Sequence, residues 1–349
     1  MSVDDRFEEL AETIGGFYRS WLIFVGVRLG LFARLNDAGK DGLSVEELAG
    51  ATGCATVPVE AWVRAAFASR LVDLHDGRAV LGPGLAEVLL DDTRPEYLGG
   101  QFVMTVVASL DYEGLLDFFR TGRPIPERPA RFHRAYEALT AQDIAVFFQE
   151  GLAAMPTLTQ RLADGGRVLD VACGGGRWLV AVARRFPNTR LVGVEFEPDS
   201  VERARRLVAE SELAGRVRID AHEIPTMAFD QPFDLVYFQD VLHELPEPVG
   251  SLRAAWQAVA PGGRLVVLDW CLPADPDEAR TLHGELLWGT NLDELYQGTR
   301  LLAADEFAAL FERADLPAAT AVELPSGASI FYAERPADSA PAGGTDLSR

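Results

Sequence analysis

The stretch Val168-Leu-Asp170-Val-Ala-Cys-Gly174-Gly-Gly176 constrains the fold more than any other part of the chain. A short apolar run ends in an acid and passes straight into a glycine-rich turn, after which the apolar spacing becomes helical. Glycines in such a turn let the backbone approach a ligand where a Cβ would collide. A tight strand-to-helix turn can use the same residues for packing alone, so the loop by itself names no ligand. The next β-like run, RLVGVE, ends in Glu195, nineteen residues beyond Gly176. An acid there can accept both hydroxyls of a ribose. Arg177 and Trp178 stand where a pyrophosphate-type G-x-G-x-x-G pattern would continue. Together these features point to a nucleoside without phosphates.

The runs around that loop set the architecture. RVLDVA, RLVGVE, RVRID, FDLVYF and GRLVVLDW are short and rich in Val, Leu and Ile, and helical segments at 177–186, 199–213 and 249–260 separate most of them. Strands alternating with helices imply an α/β fold with a doubly wound, mostly parallel sheet. Two further helices (276–297 and 303–315) and two strands (near 319–324 and 328–334) complete it. The N-terminal part reads differently. Residues 4–38 suggest two helices parted near Gly15-Gly16, the second with a wide apolar stripe through Trp21, Phe24, Val25, Leu29, Phe32 and Leu35. Ser44-Val-Glu-Glu47 is a capping-box pattern, and a second helix follows over 57–70. Short β-like runs then flank Asp76-Gly77, a hairpin signal, so the order is winged-helix-like. From Pro95 to Leu162 the chain is helical, with a proline-rich break at 123–129. The expected divisions are 1–94, a winged-helix-like domain; 95–164, a helical linker with pocket helices; 165–335, the α/β domain; and 336–349, a disordered tail.

Charge and cysteine content narrow the function classes. The formal net charge is −21, and a nucleic-acid binder needs neutralised phosphates. The would-be recognition helix offers Arg64 and Arg70 against Glu60, so a transcriptional regulator is disfavoured and no nucleic-acid partner is expected. No apolar run has the length of a membrane span, and MSVDDRFEEL lacks the basic and apolar blocks of a signal peptide. Cys54, Cys173 and Cys271 are odd in number and lack metal-ligand spacing. A reducing cytoplasm and no metal site are therefore expected.

From about 165 to 272 the chain resembles the class I S-adenosylmethionine-dependent methyltransferases, Rossmann-like in fold. Over its whole length it is similar to the small-molecule O-methyltransferases with an N-terminal dimerisation domain. The resemblance implies S-adenosylmethionine as cofactor and a homodimer through the N-terminal domain. Asp170, Ala172, Gly174 and Gly176 would hold the amino-acid part of the cofactor, with Ala172 replacing the usual first glycine. Glu195 would bind the ribose, Phe196 and Ile224 would flank the adenine, and Glu223 would meet its amino group, with His222 and Asp220 as rivals. Gln239 would complete the cofactor site.

The resemblance makes His243 the general base. A phenol ionises near pH ~10, and an imidazole with a pKa of about 6.5 can take its proton at neutral pH. The family orients its base with two acids; one matches Asp269, and the other falls at Leu301, where no carboxylate stands. Tyr18, Phe148, Leu152, Trp288 and Asn291 are the candidate substrate-binding residues. Methyl transfer to the oxygen of a small aromatic, secondary-metabolite-like acceptor is the expected activity. An indole-like carbon or nitrogen acceptor, which needs no prior deprotonation, is the alternative, as is a non-methylating enzyme on the same fold.

Overall fold

A computed structural model describes residues 2–337. The tail expected at 336–349 lies outside the described residues from position 338 onward. The chain divides into two compact units, 1–120 with 128–145 and 121–127 with 146–349. The helices of 95–164 are shared between them.

In the first unit, one unbroken helix, Val3–Arg28, runs through Gly15 and Gly16, and the break comes at Gly30 instead. Glycine in a helix interior costs only about 1 kcal/mol, which neighbouring turns absorb. Gly30 adopts φ 71°, a left-handed turn that ends one helix and starts the next, Leu31–Ala38. The two helices pack so closely that a Cβ at Gly26 would strike the Phe32 ring at 2.3 Å. Ser44 and Glu47 form the reciprocal capping box of helix Val45–Thr52. Helix Thr56–Ala68 follows, then strands β1 (Val72–His75) and β2 (Arg78–Leu81), paired antiparallel. Asp76 and Gly77 both have positive φ, as a two-residue hairpin turn requires.

The second unit is built on seven strands: β3 (Arg167–Val171), β4 (Arg190–Glu195), β5 (Val217–Ala221), β6 (Phe233–Gln239), β7 (Val259–Asp269), β8 (Thr320–Glu323) and β9 (Ser329–Glu334). Their order is β5-β4-β3-β6-β7-β9-β8. β3 to β7 are parallel, and β9 runs antiparallel to β7 and β8. The central strands are buried along nearly their whole length, as expected for a parallel sheet covered on both faces. Phe233, Phe238, Phe307, Phe311 and Phe331 are fully buried in the core on one side of it. The chain leaves β3 towards β4 on one side and later returns as β6 on the other. Between β3 and β6 lies the topological switch point, outside whose carboxyl ends ligands bind in open α/β sheets.

Candidate active site

The carboxyl ends of the parallel strands carry the chemistry. Asp170 lies near the end of β3, paired in register with Gly193 and Tyr237. The following loop is left-handed at Ala172 (φ 60°), Gly174 (φ 49°) and Gly176 (φ 76°). Glycine takes this conformation freely, whereas an L-residue such as Ala172 bears about 1–2 kcal/mol for it. Nothing lies within 4 Å of where a Gly174 Cβ would be, whereas one at Gly176 would meet Ala204 at 3.1 Å. Gly174 therefore borders open space, and Gly176 lets the helix Arg177–Arg185 start close against its neighbour. A Cβ on Gly193 would meet Cys173 Sγ at 2.6 Å, so that glycine lets the loop rest on β4.

Glu195, buried at the end of β4, ties the loop together. Its Oε2 accepts from the Gly174 amide (3.0 Å), and its Oε1 accepts from the amides of Phe196 (2.8 Å) and Glu197 (2.9 Å). Its side chain thus faces the glycine loop. Burial, then the Glu195 charge, holds the Asp170 carboxyl well above the usual range. A buried acid pair of this kind is stabilised by a cationic ligand. Phe196 and Glu223 are exposed, whereas Ile224 is buried in the sheet core. Gln239 ends β6, where its Oε1 accepts a long 3.4 Å hydrogen bond from the Tyr237 hydroxyl.

His243 follows β6 on a short turn, Leu242–Glu244. Its Nδ1 lies 3.0 Å from both carboxylate oxygens of Asp269, at the end of β7. The two side chains are 1% and 0% exposed. Nε2 is buried, and no group among the described residues bonds it. Burial opposes the ring's charge, but Asp269, then Asp240 and Glu244, outweigh it and raise the His243 pKa well above its ordinary value. The same negative field contributes at Cys271, where burial, then Asp269, pushes the thiol to about 12.

The expected substrate residues are scattered. Phe148 lies in a π-helical stretch, Phe147–Gly151, that runs into Leu152; such turns recur at functional sites. Phe147 there meets Trp178 and Tyr237, whose rings stack 4.3 Å apart. On the helix Leu282–Gln297, Trp288 is exposed, and Asn291 is buried with its Oδ1 accepting from the Leu301 amide at 3.0 Å. Tyr18 is exposed on the first helix, in the other unit.

Two residues at the site escaped the sequence reasoning. Asp240 is buried with a left-handed backbone (φ 47°) directly after β6, and its amide donates to the Leu268 carbonyl. Glu294 is buried on the helix Leu282–Gln297 and approaches His243. Its spacing of three from Asn291 puts both on one helix face, the one signal that could have revealed it.

Residues 162–308 match the family profile described as a methyltransferase domain. The chain carries a methyltransferase domain. A demethylmenaquinone methyltransferase of Lactiplantibacillus plantarum is 31% identical over 117 residues, 33% of this chain and 49% of its own length. The chain thus spans about half the length of the curated relatives it matches. Among solved structures, mitomycin 7-O-methyltransferase MmcR superposes with TM-score 0.66 at 22% identity, over 95% of this chain and 98% of its own. Human N-acetylserotonin methyltransferase, solved in complex with SAM, gives TM-score 0.71 at 16% identity, over 96% and 100%. These likenesses speak to the fold, which is that of a Rossmann-like methyltransferase preceded by a mainly helical domain. Among the described residues no helix is long and apolar enough to cross a membrane.

Proposed function

We propose that the chain is an S-adenosylmethionine-dependent methyltransferase acting on the hydroxyl oxygen of a small aromatic acceptor, with His243 as general base. The observation that carries this reading is the buried His243–Asp269 pair, whose Nε2 is left without a partner among the described residues. When bound, the cofactor supplies an electrophilic methyl carbon. Asp170 and the loop Ala172–Gly176 would hold the ammonium of its amino-acid end, and Glu195 its ribose. Gln239 would close the site, and Phe196, Glu223 and Ile224 would serve the adenine.

The remaining task belongs to the chain's own side chains. With Nδ1–H donating to Asp269, the neutral ring carries its lone pair on Nε2. That atom accepts the acceptor's hydroxyl proton as the new C–O bond forms, and Asp269 offsets the charge left on the imidazolium. Phe148, Leu152, Trp288 and Asn291 would shape the acceptor's surroundings. A carboxylate-pinned histidine serves an oxygen acceptor; an indole carbon would gain little from it.

The test is incubation with S-adenosylmethionine and a panel of phenols, indoles and amines, read by product mass and position. A phenol should gain one methyl on oxygen, and His243→Gln should lower kcat by about 10²–10⁴ without loss of S-adenosylhomocysteine binding. Because the carboxylates raise the His243 pKa and the base must be neutral to act, kcat/KM should climb with pH through a value above 6.5. Full activity of His243→Gln, or methyl transfer confined to carbon or nitrogen, overturns the reading.

The dimer belongs to the same proposal. Val3, Phe7, Leu10, Ile14 and Phe17 are all exposed on the first helix. Their alternating spacing of four and three is the seam of a helix that packs on another, and a second copy would cover it.

A further inference from the structure

Glu294 is 4% exposed. One of its carboxylate oxygens, a ring nitrogen of His243 and a carboxylate oxygen of Glu244 all lie within 4.8 Å of one another. Asp240, His243 and Asp269 form a second group within the same limit. The imidazole is therefore faced by Asp240 and Glu244 from the turn after β6, by Asp269 from the end of β7 and by Glu294 from the helix Leu282–Gln297. Asp293, also buried, adjoins Glu294 on that helix and acts on it electrostatically.

Glu294 is fixed where it stands. The Thr299 hydroxyl donates to its Oε2 at 2.5 Å and lies 3.2 Å from its backbone carbonyl oxygen. Asn291, one turn earlier, holds the Leu301 amide and so anchors the segment that follows the helix. Leu301 itself is buried and carries no charge, so the helix brings a carboxylate to the histidine from a place seven residues upstream. The electrostatics agree with the geometry. Burial holds the Glu294 carboxyl above the usual range, while the Thr299 bond and then the His243 charge pull it down.

We propose that Glu294 is a positioning residue for His243, a second buried carboxylate that acts through the ring's charge and, with Asp269, stabilises its protonated form. This rests on the reading of His243 as base. Asp269 divides its charge between His243 and the Trp270 amide, which donates to its Oδ1. A ring enclosed to 1% exposure gains little help from solvent when it takes a proton, so a second buried carboxylate is the charge that offsets it.

The test follows the His243 ring by NMR titration of the full chain, with His243→Gln assigning its signal among the five histidines. In Glu294→Gln the His243 pKa should fall by about one unit. The acid limb of kcat/KM should move to lower pH by the same amount while the plateau rate drops about tenfold. Glu294→Asp should restore part of both. Thr299→Val keeps the carboxylate but loosens it, so it should give a smaller shift in the same direction and serves if Glu294→Gln does not fold. An unchanged His243 titration in folded Glu294→Gln, or in folded Thr299→Val where only that variant folds, overturns the proposal. A shifted titration in a protein whose His243→Gln variant keeps full activity removes the base from the proposed function and leaves the Glu294–His243 coupling standing.

Discussion

Asp170 illustrates how much a single residue's surroundings specify about its ligand. It is buried beside the Glu195 charge, and its carboxyl is held well above the usual range, so it keeps its proton where an exposed aspartate would not. A ligand that brings an ammonium or sulfonium group lowers that pKa, and the complex then binds fewer protons than the free protein. Binding should therefore release a proton, and affinity should rise with pH through the free-state Asp170 pKa. Calorimetric titration with S-adenosylmethionine in buffers of different ionisation heat measures this directly. The apparent enthalpy should vary with buffer in the wild type and not in Asp170→Asn, which should also bind more weakly. Equal buffer dependence in the two proteins would assign the proton elsewhere. Ala172 speaks to the same point, because its left-handed backbone is a local strain that the loop's shape requires.

At the scale of elements, strand ends were legible and helix faces were not. Glu195 and Asp269 each close a short apolar run, Asp170 lies one residue inside the end of its own, and His243 sits four residues past β6. A parallel sheet aligns such ends along one edge, so their common side of the sheet could be inferred, while the pairing of His243 with Asp269 came from the family resemblance. Glu294 lies on a helix whose rotation against the sheet depends on packing; its spacing from Asn291 shows that the two share a face but not which way that face turns. Asp240 depends on a backbone angle. The first helix shows a related failure: Gly15-Gly16 looks like a break, but the helix continues, and the turn falls at Gly30, where the chain must go left-handed. Continuity matters, because it lines up Val3 to Phe17 as one exposed seam. Ile14→Glu should convert a dimer to a monomer in sedimentation equilibrium, with the far-UV dichroism little changed. A monomeric wild type, or an unaffected dimer in Ile14→Glu, would remove this seam from the account.

For the whole molecule, the separate signals converge on one edge of one sheet. The core of residues 162–308 matches a methyltransferase domain, and the order of the seven strands puts the switch point beside the glycine loop. The net charge of −21 disfavours phosphate-rich partners and suits a cationic donor. What the strand order cannot supply is the acceptor's identity, because that is read by side chains on the helices, such as Trp288 and Asn291, whose facing is set by packing. The account therefore turns on the nucleoside site, which depends on the sheet alone. Calorimetric titration of S-adenosylhomocysteine into the wild type and into Glu195→Gln, with thermal melting confirming that both are folded, tests it most directly. The wild type should bind, and the variant should lose about 10- to 100-fold in affinity, the worth of a hydrogen bond to a charged group. No binding heat from the wild type, or equal affinity in the two proteins, would contradict it.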